Sequence, residues 1–260
     1  MLKIRIIPTL LYKNFGLVKG VGFDSWRRTG SALQAILVYC LRGVDELVFL
    51  DITATGEQRR PDFGLVDDLA DECFMPLTVG GGIRTVDDVQ ELLMVGADKV
   101  AINSALAERP ELATEVANRF GSQVLVASID YRRRQDGLCE VHTHAGKRPT
   151  GLEVVPFARE LEQRGAGEIL LTSIERDGTM SGYDIDCIRR VSEAVSIPVI
   201  ASGGAGGAAH IHEAIEAGHA SAAAAASIFH FTEQTPLEIK TWLAGKGLPV
   251  RLPGGARCRP

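Results

Sequence analysis

The sequence predicts an α/β chain that closes into one barrel of eight strand–helix units, built from two similar halves. Three observations carry that expectation. Short apolar runs alternate eight times with longer stretches of helical periodicity. Segments recur in order at a nearly constant offset. A glycine-rich turn follows a strand in each half. Continuous apolar runs, as opposed to alternating ones, fit parallel strands covered on both faces. The 260 residues match the roughly 250 typical of one (βα)8 TIM barrel. No Ser/Pro-rich linker divides them. An open doubly wound sheet is the structural alternative. The expected domain is 1–251, followed by a loose tail over 252–260 with Pro253, Gly254, Gly255 and Pro260.

The strands are expected, in order, at 4–10, 46–52, 77–79, 99–103, 124–130, 168–173, 199–202 and 222–226. Helical periodicity is clearest over 86–93, with Asp87 and Asp88 early, and over 157–163 before Gly165. The long first loop, 13–29, carries Gly16, Gly20 and Gly22 and is expected to be mobile. The repeat links Asp45-Glu46-Leu47-Val48-Phe49-Leu50 to Gly167-Glu168-Ile169-Leu170-Leu171-Thr172. It links Pro76-Leu77-Thr78-Val79-Gly80-Gly81 to Pro198-Val199-Ile200-Ala201-Ser202-Gly203, and Asn103-Ser104 to Ala226-Ser227. The offsets are 168 − 46 = 122 and 227 − 104 = 123, the pattern of two half-barrels of four units each.

Composition narrows the function classes. Net charge is −5 and hydrophobic residues make up 45%, enough for a sizeable core. No basic patch suggests nucleic acid, and no apolar run approaches the ~18 residues that span a membrane. The N-terminal run lacks the zones of a secretory signal. Cys40, Cys73, Cys139, Cys187 and Cys258 are scattered without CxxC spacing. They read as reduced core or surface thiols of a cytoplasmic protein, with no metal or cofactor expected.

Gly80-Gly81-Gly82 follows a strand and precedes a helix, and Gly203-Gly204-Ala205-Gly206-Gly207 repeats this in the second half. Such turns let backbone N–H groups approach an anion at a helix N-terminus. One glycine cluster alone is usually just a tight turn. Here each is followed about twenty residues later by a small-polar strand end, Asn103-Ser104 or Ala226-Ser227. Loops of this kind lie at the C-terminal face of a barrel, where active sites sit. Two phosphate cups across one mouth imply an elongated ligand with a phosphate at each end.

Nearly the whole chain resembles the cyclase subunit of imidazole glycerol phosphate synthase. The resemblance rests on Asp45 to Ala54, Thr78-Val79-Gly80-Gly81-Gly82-Ile83 and Gly96-Ala97-Asp98-Lys99-Val100. It continues through Gly165 to Ile174, Arg176-Asp177-Gly178-Thr179 and Ser202-Gly203-Gly204-Ala205-Gly206. It implies a glutaminase subunit docked on the barrel bottom, supplying ammonia to cleave a diphosphorylated ribulosyl-formimino intermediate. It also implies substrate contacts at Lys19, Gly81, Gly82, Asn103, Ser104, Asp177, Gly178, Ser202, Gly203, Gly204, Ala226 and Ser227. Arg5, Glu46, Lys99 and Glu168 stand at strand starts, at the opposite pole. The bland reading is a salt-bridge plug; the resemblance implies an ammonia gate, with Asp98 helping to dock the glutaminase.

One departure bears on the chemistry. The family resembles a two-carboxylate mechanism, general base and general acid, with one Asp ending strand one and another ending strand five. Asp130 matches the second, but Leu11 occupies the first. Asp51 or Asp177 are the candidates to substitute. The run from Ile7 to Lys19 and Cys73-Phe74-Met75-Pro76 also resemble a paralogue group linked to surface-polysaccharide sugars. That likeness implies ammonia delivery to a third protein, which converts an acetamido sugar into an acetamidino sugar. Three functions are thus expected in order: ammonia-conducting barrel for sugar amidination, working histidine-pathway cyclase with a rearranged base, and non-catalytic binder of diphosphorylated metabolites that regulates a glutaminase.

Overall fold

The computed structural model describes residues 3–14 and 16–252. Beyond Leu252, the expected tail lies outside the described residues, as does Cys258. Twelve strands follow in chain order among the described residues: β1 (Arg5–Lys13), β2 (Gly16–Val21), β3 (Asp24–Gly30), β4 (Leu47–Asp51), β5 (Leu77–Gly80), β6 (Lys99–Ile102), β7 (Leu125–Arg133), β8 (Cys139–Thr143), β9 (Arg148–Glu153), β10 (Glu168–Ser173), β11 (Val199–Ser202) and β12 (Ala222–Ala225). Eight of them close a parallel barrel in the order β1, β4, β5, β6, β7, β10, β11, β12 and back to β1. The fold is a (βα)8 TIM barrel. Its strands are nearly continuous apolar runs because helices cover the outside and side chains fill the inside.

The helices are α1 (Ala32–Leu41), α2 (Phe63–Ala70), α3 (Val86–Met94), α4 (Ser104–Glu108), α5 (Glu111–Phe120), α6 (Val154–Gln163), α7 (Ile185–Ser192), α8 (Ala208–Glu216), α9 (Ser227–Phe231) and α10 (Pro236–Gly245). Their starts are written locally. Thr85 and Asp88 form a reciprocal capping box on α3, Asp184 caps α7, and Thr235 with Glu238 boxes α10 behind Pro236. Equivalent elements recur along the chain. β5 and β11 start 199 − 77 = 122 residues apart. The five-residue helices α4 and α9, which follow the small-polar strand ends, start 227 − 104 = 123 apart.

Four strands were not expected, and two of them turn the first loop, expected without strands, into a hairpin. β2 and β3 make an antiparallel hairpin that continues β1, with Leu11 opposite Val18 and Lys13 opposite Gly16. Its turn residues Gly22 and Phe23 have φ of 60° and 64°, the left-handed pair that a two-residue hairpin turn requires. β8 and β9 form the corresponding hairpin after β7, with Asp130 opposite His142. Because of these partners, β1 and β7 run three residues past their expected ends at 10 and 130.

Two apolar layers hold the barrel. The larger lies between strands and helices; the inner one contains Ile7, Val48, Ala101, Val126, Leu170 and Ile200, with Ala222 and Ala224. This inner layer separates two polar regions, one at each pole. Among the scattered cysteines, Cys139 on β8 and Cys187 on α7 are neighbours.

Candidate functional site

The pole at the strand N-termini carries a ring of four alternating charges. Arg5 Nη1 lies 2.7 Å from Glu46 Oε2 and 2.9 Å from Glu168 Oε1, and Lys99 Nζ lies 3.0 Å from Glu46 Oε1 and 3.2 Å from Glu168 Oε1. The Thr78 hydroxyl donates to Glu46 at 2.9 Å. Each charge thus faces two of opposite sign, which offsets the cost of burying them. Burial opposes the charge on Arg5, but Glu168 and Glu46 outweigh it and hold its pKa above the usual guanidinium value. The four residues come from the starts of β1, β6 and β10 and the residue before β4, so only barrel closure brings them together. Asp98 sits on the same pole, exposed, with Oδ2 accepting from the Leu77 backbone N–H at 2.8 Å.

The opposite pole opens into a cavity of about 450 Å3. All the expected substrate contacts border it: Lys19, Gly81, Gly82, Asn103, Ser104, Asp177, Gly178, Ser202, Gly203, Gly204, Ala226 and Ser227, together with Leu11 and Asp130. The glycine turns are alike in both halves. Gly81 and Gly82 have φ of 112° and 75°, Gly203 and Gly204 of 84° and 112°. A Cβ on Gly81 would strike the Asp51 carbonyl, and one on Gly203 the Ser173 carbonyl. Only glycine permits this approach. In the second glycine turn's half, Ser227 Oγ is buried without a hydrogen-bond partner among the described residues, so its hydroxyl is left free toward the cavity.

Asp130 faces the cavity from β7. Its Oδ2 lies 3.3 Å from Asn103 Nδ2, and Thr172 is its neighbour across the ladder. Burial pushes its carboxyl up to about 7; the Thr172 hydrogen bond pulls it down, and the charge of Asp177 adds to the rise. A carboxyl held that far above its usual range suits a group that gives or takes a proton. The equivalent position on β1 is Leu11, between Val18 and Leu50 in the sheet.

Neither expected substitute is a free base. Asp51 Oδ1 accepts from the Thr53 and Ala54 backbone N–H groups at 3.0 and 3.1 Å, and its Oδ2 meets Arg59 at 2.9 Å. Asp177 is held by Lys19 Nζ at 2.6 Å, and Lys19 itself is 2% exposed. That pair, with the Gly22 N–H donating to the Asp177 carbonyl at 2.8 Å, ties the first hairpin to the loop after β10. Lys19 thus borders the cavity as a buried clamp paired with Asp177.

Several bordering residues escaped the sequence reading. Phe23 and Trp26 come from the first hairpin, and His144 and Arg148 from the second. The His144 backbone N–H donates to Ser104 Oγ at 3.0 Å, which fixes that cup hydroxyl. Gly146 packs against Phe23 and Ile174, so the hairpin tips meet over the mouth. Thr9 borders the cavity too; the signal for it was its place two residues before Leu11 on an alternating strand.

No helix among the described residues is long and apolar enough to cross a membrane. A family model described as histidine biosynthesis protein matches residues 5–235, which takes in the charged ring, both cups, Leu11 and Asp130. With the barrel and its paired glycine turns, this match means that the chain belongs to the histidine biosynthesis protein family, whose members include isomerases and cyclases.

Proposed function

We propose that the chain is the ammonia-conducting barrel subunit of a two-protein glutamine amidotransferase, and that its ammonia serves the conversion of an acetamido to an acetamidino sugar. The observation that carries this reading is the pairing of a complete four-charge ring at one pole with Leu11 facing the cavity at the other. Leucine cannot accept a proton, and Asp51 and Asp177 are bound to Arg59 and Lys19. One acid–base group is left, Asp130, where the cyclase mechanism uses two. Losing one such group costs on the order of 10²–10⁴ in rate.

The ring has the form of a gate. Ammonia is small and neutral, and the layer above the ring is apolar, so a transient opening of the Arg5–Glu46 or Lys99–Glu168 contact suffices for passage. The glutaminase docks around the ring, near Asp98. The two cups hold a ligand with a phosphate at each end, and Ser227 supplies a hydroxyl to one of them. In this reading the ligand acts as an effector that switches on the glutaminase, which accounts for cups that outlast the second carboxylate.

A second reading has Asp130 in its favour. A carboxyl that titrates near 7 suits general acid–base work, and an active histidine-pathway cyclase with a rearranged base would need one. The deciding experiment supplies the purified chain with ammonium salt and the diphosphorylated ribulosyl-formimino intermediate. Little or no turnover is expected. Robust turnover overturns the first reading in favour of the second. Adding the chain to its glutaminase is expected to raise glutamine hydrolysis; no change would favour a non-catalytic binder over both.

A further inference from the structure

β1 sends every second side chain into the barrel. Ile7 belongs to the inner apolar layer, Leu11 borders the upper cavity, and Thr9 lies between them. β7 has the same order in Val126, Ser128 and Asp130. A molecule rising from the charged ring leaves the apolar layer between Thr9 and Ser128. It next meets Leu11 from β1 and Asp130 from β7.

Thr9 is 9% exposed, and its Oγ1 is one of four buried side-chain atoms without a hydrogen-bond partner among the described residues. An unpaired buried hydroxyl costs stability, and native proteins carry few. Two of the four border the cavity: Ser227, which the phosphate cup accounts for, and Thr9, which it does not. Packing does not explain the hydroxyl either, since valine has nearly the same shape and no oxygen to leave unpaired.

The geometry points to Thr9 as the residue that receives ammonia at the top of the apolar layer, its O–H donating to the nitrogen lone pair in the layer below Asp130. This assignment rests on the ammonia-conducting reading above. Ammonia offers one acceptor and three donors. The Thr9 hydroxyl supplies the donor for its lone pair, Asp130 in the next layer is the carboxylate that senses it, and Leu11 adds no polar group on the β1 wall. The step is hydrogen bonding alone, so no bond is made or broken. Thr9 also sits far enough below the cups to act whether or not a diphosphorylated ligand fills them.

The test is an NMR titration of the full chain labelled with carbon-13 at its Asp carboxyls, with ammonium chloride at alkaline pH as the probe. Sodium chloride at equal ionic strength is the control. The Asp130 signal is expected to shift saturably with ammonium chloride alone. Thr9→Val is expected to weaken the response roughly 2- to 10-fold, the worth of one hydrogen bond, and Thr9→Ser to regain it. Without ammonia, Thr9→Val is expected to melt no lower than the wild type, because no bond in the empty protein is lost. An unchanged affinity in Thr9→Val, or no saturable shift in the wild type, overturns the assignment. A lower melting temperature with unchanged affinity assigns Thr9 to packing and overturns it as well. If Thr9→Val weakens the response but chain plus glutaminase delivers no ammonia from glutamine, Thr9 stands and the amidotransferase reading falls.

Discussion

Replacing Leu11 with Asp places a carboxylate on the β1 wall of the cavity. Leu11 is 8% exposed and sits between Val18 and Leu50 in the sheet, so the change forfeits apolar burial of about 1.5–3 kcal/mol. In a barrel of this size that lowers the melting temperature by roughly 3–12 °C. The new carboxyl also joins Asp130, whose own carboxyl is already held up to about 7. The two carboxyls face one cavity from different environments, the condition under which one can serve as acid and the other as base. Such a pair contributes on the order of 10²–10⁴ in rate over one group, or about 3–5 kcal/mol of barrier. The assay is initial-rate turnover of the diphosphorylated ribulosyl-formimino intermediate with ammonium salt, beside a thermal melt of the same preparation. A folded Leu11→Asp protein that binds phosphate yet turns over no faster than the wild type would refute the reasoning.

Asp130→Asn tests the raised carboxyl. The folded group titrates near 7 and the unfolded one near 3.9, so ionisation between those values opposes folding. Wild-type stability should fall as pH rises through that window, and the variant should lack the slope. Its advantage, absent near pH 4 and at most on the order of 4 kcal/mol above pH 7, is read from urea melts across pH. Glu46→Ala leaves Arg5 and Lys99 to share Glu168; because both cations keep some exposure, the cost should fall toward the lower end of about 3–5 kcal/mol, measured by denaturant unfolding. Gly203→Ala forces a side chain into a left-handed backbone against the Ser173 carbonyl. It should cost about 1–3 kcal/mol and abolish phosphate binding at the second cup while sparing the first, as two-site calorimetry with inorganic phosphate would resolve.

The barrel strands were legible because a parallel strand covered on both faces must be apolar throughout, and β4, β5, β10 and β11 are written that way. The cups were legible because glycine is needed where backbone approaches backbone, as at Gly81 and Gly203. The hairpins were not. β2 carries glycine at positions 16 and 20, and β3 is largely exposed, so neither has an apolar pattern to announce it. The helical start of α3 was local enough to read; the residues roofing the cavity were not, since Phe23, His144 and Arg148 reach it only when the two hairpins fold over.

The sequence by itself determined the strand order, the two glycine turns, the four charged strand starts and the leucine at position 11. Each of these depends on a residue type at a position, or on a period, within one strand and its turn. Only the tertiary structure decided which charges meet. Lys19 and Asp177 lie 158 positions apart and Arg5 and Glu168 lie 163 apart, and the orphaned Thr9 hydroxyl is defined by partners that are absent on every side. Contacts at such separations exist only after the barrel closes, because closure sets which strand faces which across the interior.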